Sequence, residues 1–144
     1  MVVRLLVRRR PINCGPCVTT RPRRVDLVRA AVRNIELDPD PRQLPADPAD
    51  FLLLARLLVG PSNGPGEESF DVEVCSPEWL AQHCVTEGFV DGRHRVIITV
   101  DAFSEAGLRS FLTRRVESSS GTTWLEVAEK VARIGHWEFE DYSE

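Results

Sequence analysis

Phe51-Leu52-Leu53-Leu54-Ala55-Arg56-Leu57-Leu58-Val59-Gly60, followed after a short gap by Phe70-Asp71-Val72-Glu73-Val74-Cys75, decides the fold of this chain. The first segment fits two periods. As a helix it could start at Asp47-Pro48 and stop at Gly60-Pro61, with Phe51, Leu54, Ala55 and Leu58 on one face. As a strand it presents Phe51, Leu53, Ala55, Leu57 and Val59 as an unbroken alternating face. The second segment decides between them. Phe70, Val72 and Val74 alternate with Asp71 and Glu73, the pattern of a half-buried strand with an acidic outer face. Between the two lies Pro61-Ser62-Asn63-Gly64-Pro65-Gly66, a turn-rich stretch. Two alternating segments around such a loop make a hairpin, so 51–59 is expected to be a strand.

Working outward, residues 26–37 read as a first strand, and Asp38-Pro39-Asp40-Pro41 with Pro45 and Pro48 makes 38–48 a loop. Ser76-Pro77-Glu78 has the chemistry of a helix start, and Trp79, Leu80 and Cys84 are expected to be its buried residues. The β-branched run in 93–100 reads as a central strand. Ser104 opens a second helix, with Leu108, Phe111, Leu112 and Val116 on one face, and Ser118-Ser119-Ser120-Gly121 breaks it. Thr123 and Glu126 form a capping box for a third helix with a stripe of Trp124, Val127, Ala128 and Val131, which Gly135 ends. Residues 136–142 alternate Trp137 and Phe139 against Glu138 and Glu140, a short terminal strand or extended segment. The expected fold is α+β: an antiparallel sheet with three helices packed mainly on one face.

Charge divides the chain. Its 144 residues carry a net charge of −4, yet residues 1–33 hold +8, nearly all Arg, and residues 34–144 hold −12. Seventeen of the 18 basic residues are Arg, a bias that points to a GC-rich bacterial genome. The expected division is therefore a basic leader over residues 1–27 and one domain over 28–144. Val2–Val7 is interrupted by Arg4 and ended by Arg8–Arg10, so it lacks the apolar core of a secretory signal. The leader reads as a solvated tail, or as upstream sequence brought in by a misassigned start, ahead of a nucleic-acid-binding arm. Cys14-Gly15-Pro16-Cys17 has the spacing of a thioredoxin-type redox pair but no strand and helix to hold it. Four cysteines without a secretion signal fit a reducing cytoplasm, and the longest apolar run, Phe51–Ala55, is far too short to span a membrane.

Two segments carry a resemblance. Gly60 with Glu67-Glu68-Ser69-Phe70-Asp71-Val72-Glu73-Val74-Cys75-Ser76-Pro77-Glu78-Trp79-Leu80 resembles the hallmark segment of the immunity protein 8 family of bacterial polymorphic-toxin systems. Trp124-Leu125-Glu126-Val127-Ala128, followed by Arg133-Ile134-Gly135-His136-Trp137-Glu138-Phe139-Glu140-Asp141-Tyr142, is similar to its closing motif. The resemblance covers about residues 28–144. It implies a small α+β protein that binds and neutralises a cognate toxin domain, without identifying that toxin.

Neutralising a toxin is a binding task. An acidic face steers association with a basic partner, and nuclease toxins present basic clefts. Glu67 and Glu68 in the hairpin loop, Asp71 and Glu73 on the strand's outer face, and Glu138, Glu140 and Asp141 near the C-terminus are the candidate toxin-facing residues. Trp79, Trp124 and Trp137 each fall on an apolar face and read as core, and Cys75 and Cys84 as small buried residues. His83, His94 and His136 belong to no nucleophile–base constellation or metal-spacing motif, so neither catalysis nor a cofactor is expected. The alternative reading is a small nucleic-acid-binding protein that uses the Arg-rich arm.

Overall fold

Period-2 burial builds the sheet. In the computed structural model, which describes residues 15, 21–44, 47 and 51–141, Phe51, Leu53, Ala55, Leu57 and Val59 are buried on one face of a strand β2, Leu52–Pro61. The same alternation buries Phe70, Val72 and Val74 in β3, Glu68–Cys75, which returns antiparallel to β2. The hairpin expected around residues 61–66 is therefore present. On the other side of β2 runs β1, Val28–Asp38, also antiparallel. A bulge between Val32 and Asn34 lets both Ala30 and Ile35 face the core although five residues separate them.

The remaining strands are short. β4 is Arg95–Ile97, β5 is Ser120–Gly121 and β6 is His136–Trp137. The spatial order is β4-β3-β2-β1-β5, with β6 joined to the free stretch of β3 beside β4. The expected α+β class holds, and every pairing is antiparallel except β3–β4, which is parallel, so the sheet is mixed. The 93–100 segment is not a central strand: only three of its residues pair, at the sheet's edge. Its β-branched residues instead serve packing, with Val96, Ile98 and Val100 lying against the core. The terminal segment pairs only through His136 and Trp137 before a turn.

Two helices cover the inner face. α2, Glu105–Glu117, buries Leu108, Leu112 and Val116, and α3, Trp124–Val131, buries Val127, Ala128 and Val131. Ser104 caps α2 by accepting from the Gly107 N–H, as its position predicts. Phe111, expected on the buried face, is 40% exposed. The third helix, α1, Pro77–Glu87, departs from expectation: none of its residues is buried. Ser76 caps it, but Trp79 and Leu80 are half-buried and Cys84 is exposed, because α1 leaves the end of β3 instead of lying across the sheet. Trp124 and Trp137 are likewise half-buried against the core, not inside it. Cys75 is fully buried, and that burial pushes its thiol pKa up.

Gly135 does more than follow α3, which already ends at Val131. A Cβ there would stand 2.9 Å from Val72 Cγ2 and 3.2 Å from Asp71 O, so only glycine lets β6 press against β3. At the start of α3, Thr123 Oγ1 accepts from the Glu126 N–H, while the Glu126 carboxylate reaches back to the N–H and hydroxyl of Thr122. Thr123→Ala is expected to cost about 1 kcal/mol, and thermal denaturation should show Tm lower by about 3 °C. No helix among the described residues is long and apolar enough to cross a membrane. Apart from Gly15 and residues 21–27, the leader lies outside the described residues, and so do the two cysteines of its Cys-Gly-Pro-Cys motif.

Candidate functional site

The outer face of the hairpin carries a groove of about 660 Å³. Its floor follows from the alternation that made the core: the residues between the buried ones, Leu54 and Arg56 on β2 and Ser69, Asp71 and Glu73 on β3, point outward into it. One wall comes from Asp91, Arg93 and His94, the loop after α1, together with Arg95 of β4. His136 and Glu138, in and just after β6, close the other side. Four carboxylates and three guanidiniums line the groove.

Strand register sets the charge pairs. Arg56 stands directly opposite Asp71 and binds it through two contacts, Nε to Oδ1 at 2.9 Å and Nη2 to Oδ2 at 3.0 Å. Glu73 stands opposite Arg95, whose Nε donates to Oε2 at 3.1 Å and whose Nη2 donates to the same oxygen. Arg95 is only 11% exposed, its guanidinium lies 5.5 Å from the centre of the Trp79 ring, and its Nη1 is buried with no hydrogen-bond partner among the described residues. Trp79 is in turn stacked on His83 at 4.7 Å. Buried charge contacts of this kind fix geometry more than they stabilise.

Arg93 donates its backbone N–H and its guanidinium to Asp91, which turns the loop toward β4. Those bonds hold the Asp91 carboxyl below its ordinary value of 3.8. A depressed carboxylate pKa adds stability that is fully present above the unfolded value and is lost as pH falls through the folded one. Asp91→Asn should therefore lower Tm at neutral pH, by on the order of 1 °C because the pair is exposed, and the difference should narrow only below pH 3.8. Melting curves of both proteins from neutral to strongly acid pH check this. The next residue, His94, has φ of 57°, in the left-handed region, and is held there by its Nε2–H donating to Ala132 O at 2.7 Å. Its ring lies 5.8 Å from that of His136.

The C-terminal segment is fastened to β3 by side chains. Trp137 stacks on Phe70 with ring centres 6.1 Å apart and planes within 10°, and its indole N–H donates to Glu68 Oε2 at 2.9 Å. Glu138 Oε1 accepts the Ser69 N–H at 2.7 Å. Beyond it, Glu140 and Asp141 lie 3.7 Å and 3.9 Å from the two ring nitrogens of His136.

Of the seven sequence-derived candidates, Asp71, Glu73 and Glu138 line the groove, Glu140 and Asp141 sit beside His136, which borders it, and Glu68 bonds Trp137 on the opposite face of β3, away from the groove. Glu67 is exposed in the loop next to Glu68 and lines no part of the groove. The basic half of the site, Arg56, Arg93 and Arg95 with the two histidines, was not among the candidates. Arg56 was findable, since the period that turns Asp71 outward does the same to Arg56. Arg95 was not, because its place depends on a parallel pairing that no local pattern announces. Among the described residues no group of three His, Cys, Asp or Glu is arranged to hold a metal ion.

These features define a small α+β binding domain: a helix-backed sheet that presents an open, charged groove on its uncovered face. The chain belongs to the immunity protein 8 family, whose model matches residues 30–142. Membership gives it an immunity function, exercised on a partner protein, and places it in a family that is generally non-enzymatic. No curated protein and no solved structure matches it.

Proposed function

We propose that the chain neutralises a bacterial toxin domain, of the nuclease class, by laying the acidic rim of the groove over the toxin's basic cleft. The observation that carries this reading is the convergence of acids from distant parts of the sequence. Asp71 and Glu73 come from one strand, and Glu138, Glu140 and Asp141 arrive some seventy residues later beside the same strand. Arg56, Arg95 and Arg93 offset Asp71, Glu73 and Asp91, so the net negative charge of the rim falls on Glu138, Glu140 and Asp141, with Glu67 exposed on the hairpin loop outside the groove. Such a rim steers a cationic partner, and the arginine-paired floor gives it fixed hydrogen-bonding groups to read.

The domain over 28–144 carries this activity and the leader does not, so removing residues 1–27 should leave neutralisation intact. The test is co-expression with the toxin domain encoded by the neighbouring gene, in a cytoplasmic host assay. Protected growth, and a complex that survives gel filtration of the purified pair, support the reading. Cell death with no complex at micromolar concentration contradicts it.

A further inference from the structure

A second surface lies on the other side of β4. Among the described residues β4 pairs with β3 on one side only, and no strand lies along its other edge. Two backbone bonds fix which groups face β3: Glu73 N–H donates to His94 O and Ile98 N–H donates to Cys75 O. In a parallel ladder the groups that face the partner alternate along the strand. The N–H and C=O of Arg95 and Ile97 therefore point away from the sheet, and among the described residues no strand pairs with them.

This open edge runs beside α2, and the space between them is a continuous channel of two depressions that share Val96, Ile97 and Phe111. The two ends differ in chemistry. At one end, a depression of about 500 Å³ is bordered by Arg93, Arg95, Arg115 and Arg133 with His94, and no carboxylate lines it. Arg93 and Arg95 already hold Asp91 and Glu73, whereas Arg115 and Arg133 have no carboxylate partner among the described residues. At the other end, a depression of about 330 Å³ is bordered mainly by apolar groups, Ile98, Ala102 and Leu108, with one cation, Arg114. Between them stand Ile97, 53% exposed, and Phe111, 40% exposed.

An unpaired strand edge is a template for another strand, and proteins normally blunt or cover it. Here the edge is kept short, three residues, and lies beside a helix, with a cluster of cations at one end and a mainly apolar lining at the other. We propose that this channel takes an extended segment of a partner protein that adds to β4 as a strand, with a carboxylate at the Arg115–Arg133 end and an apolar side chain beside Phe111. Strand addition supplies main-chain hydrogen bonds, and the two ends supply the selectivity. The unpaired cations Arg115 and Arg133 favour a segment that brings its own carboxylate, and a second copy docking edge to edge is the outcome that size-exclusion chromatography of the free chain would reveal. The channel shares Arg93, His94 and Arg95 with the wall of the toxin-facing groove, but Arg115, Arg133 and Phe111 line the channel alone, so variants at those three positions test it separately from toxin neutralisation.

The test is selection of a displayed random-peptide library on the full chain, followed by affinity measurement of the enriched peptides on Arg115→Glu/Arg133→Glu and on Phe111→Asp. The enriched peptides should pair an acidic residue with an apolar one along an extended sequence. Each variant should weaken them by about tenfold or more. Hydrogen exchange at Arg95 and Ile97 should slow in the complex. Circular dichroism shows whether each variant keeps its fold, and Ile97→Lys, at a more exposed position, replaces Phe111→Asp if that one does not. No enrichment, enrichment of peptides indifferent to the variants, or binding only of single-stranded DNA in the same assay overturns the proposal.

Discussion

Truncating Phe70 to alanine lowers the stability of the folded chain by about 3–5 kcal/mol, and Tm by about 10–15 °C. Phe70 is fully buried and is the largest of the fully buried side chains. It sits in β3 between Leu57 of β2, its partner in register, and Trp137 of β6, on which it stacks. Removing its ring leaves a cavity that the surrounding strands cannot collapse to fill. The loss would take a large share of the margin of an ordinary domain, which is about 5–15 kcal/mol. It would also free Trp137, and with it the segment that holds His136 and Glu138 at the groove. Equilibrium unfolding in urea measures the effect. Phe111→Ala is the comparison: that ring is 40% exposed, so its truncation should cost well under half as much.

Reversing two charges at the rim, Glu138→Lys with Glu140→Lys, should abolish protection against the toxin while leaving the domain folded. Both residues are exposed, and neither belongs to the core. Glu138 also accepts the Ser69 N–H, so its replacement by lysine removes a local bond as well as a charge. Glu138→Gln separates the two, because the amide oxygen can still accept while the charge is gone. If charge governs binding, the double reversal loses about a hundredfold in affinity and the glutamine variant also loses a measurable share, smaller because one charge is removed and none reversed; if the Ser69 bond governs, the glutamine variant binds as wild type does. Growth of toxin-expressing cells, with each variant's melting curve as the folding control, reads out both.

The sheet's long strands were legible because burial follows a two-residue period along β2 and β3 without interruption. The helix ends were legible too, since Ser76, Ser104 and Thr123 each accept the N–H three residues on. What escaped was tertiary. Residues 93–100 have strand composition, but only Arg95–Ile97 find a partner, because β6 takes β3 at Phe70 and Asp71 on one side and β3 ends at Cys75, just before α1, on the other. The apolar residues of α1 resemble those of a buried helix, yet Val85 is 86% and Phe89 94% exposed at its end and just beyond. Composition says that a residue prefers burial; it does not say whether an element is there to bury it. The site divides the same way. Its acids were visible as alternating positions in two segments, whereas the arginines that pair with them come from strand neighbours that only the register identifies.

The central claim is that the acidic rim binds the toxin. Calorimetric titration of the purified toxin domain into the wild-type chain and into the Glu138→Lys/Glu140→Lys variant, each at low and at high salt, tests it most directly. Wild-type binding should be tight and weaken as salt rises, and the folded double variant should bind about a hundredfold more weakly, with little salt dependence left. Equal affinities for the two proteins, with the same response to salt, would contradict it.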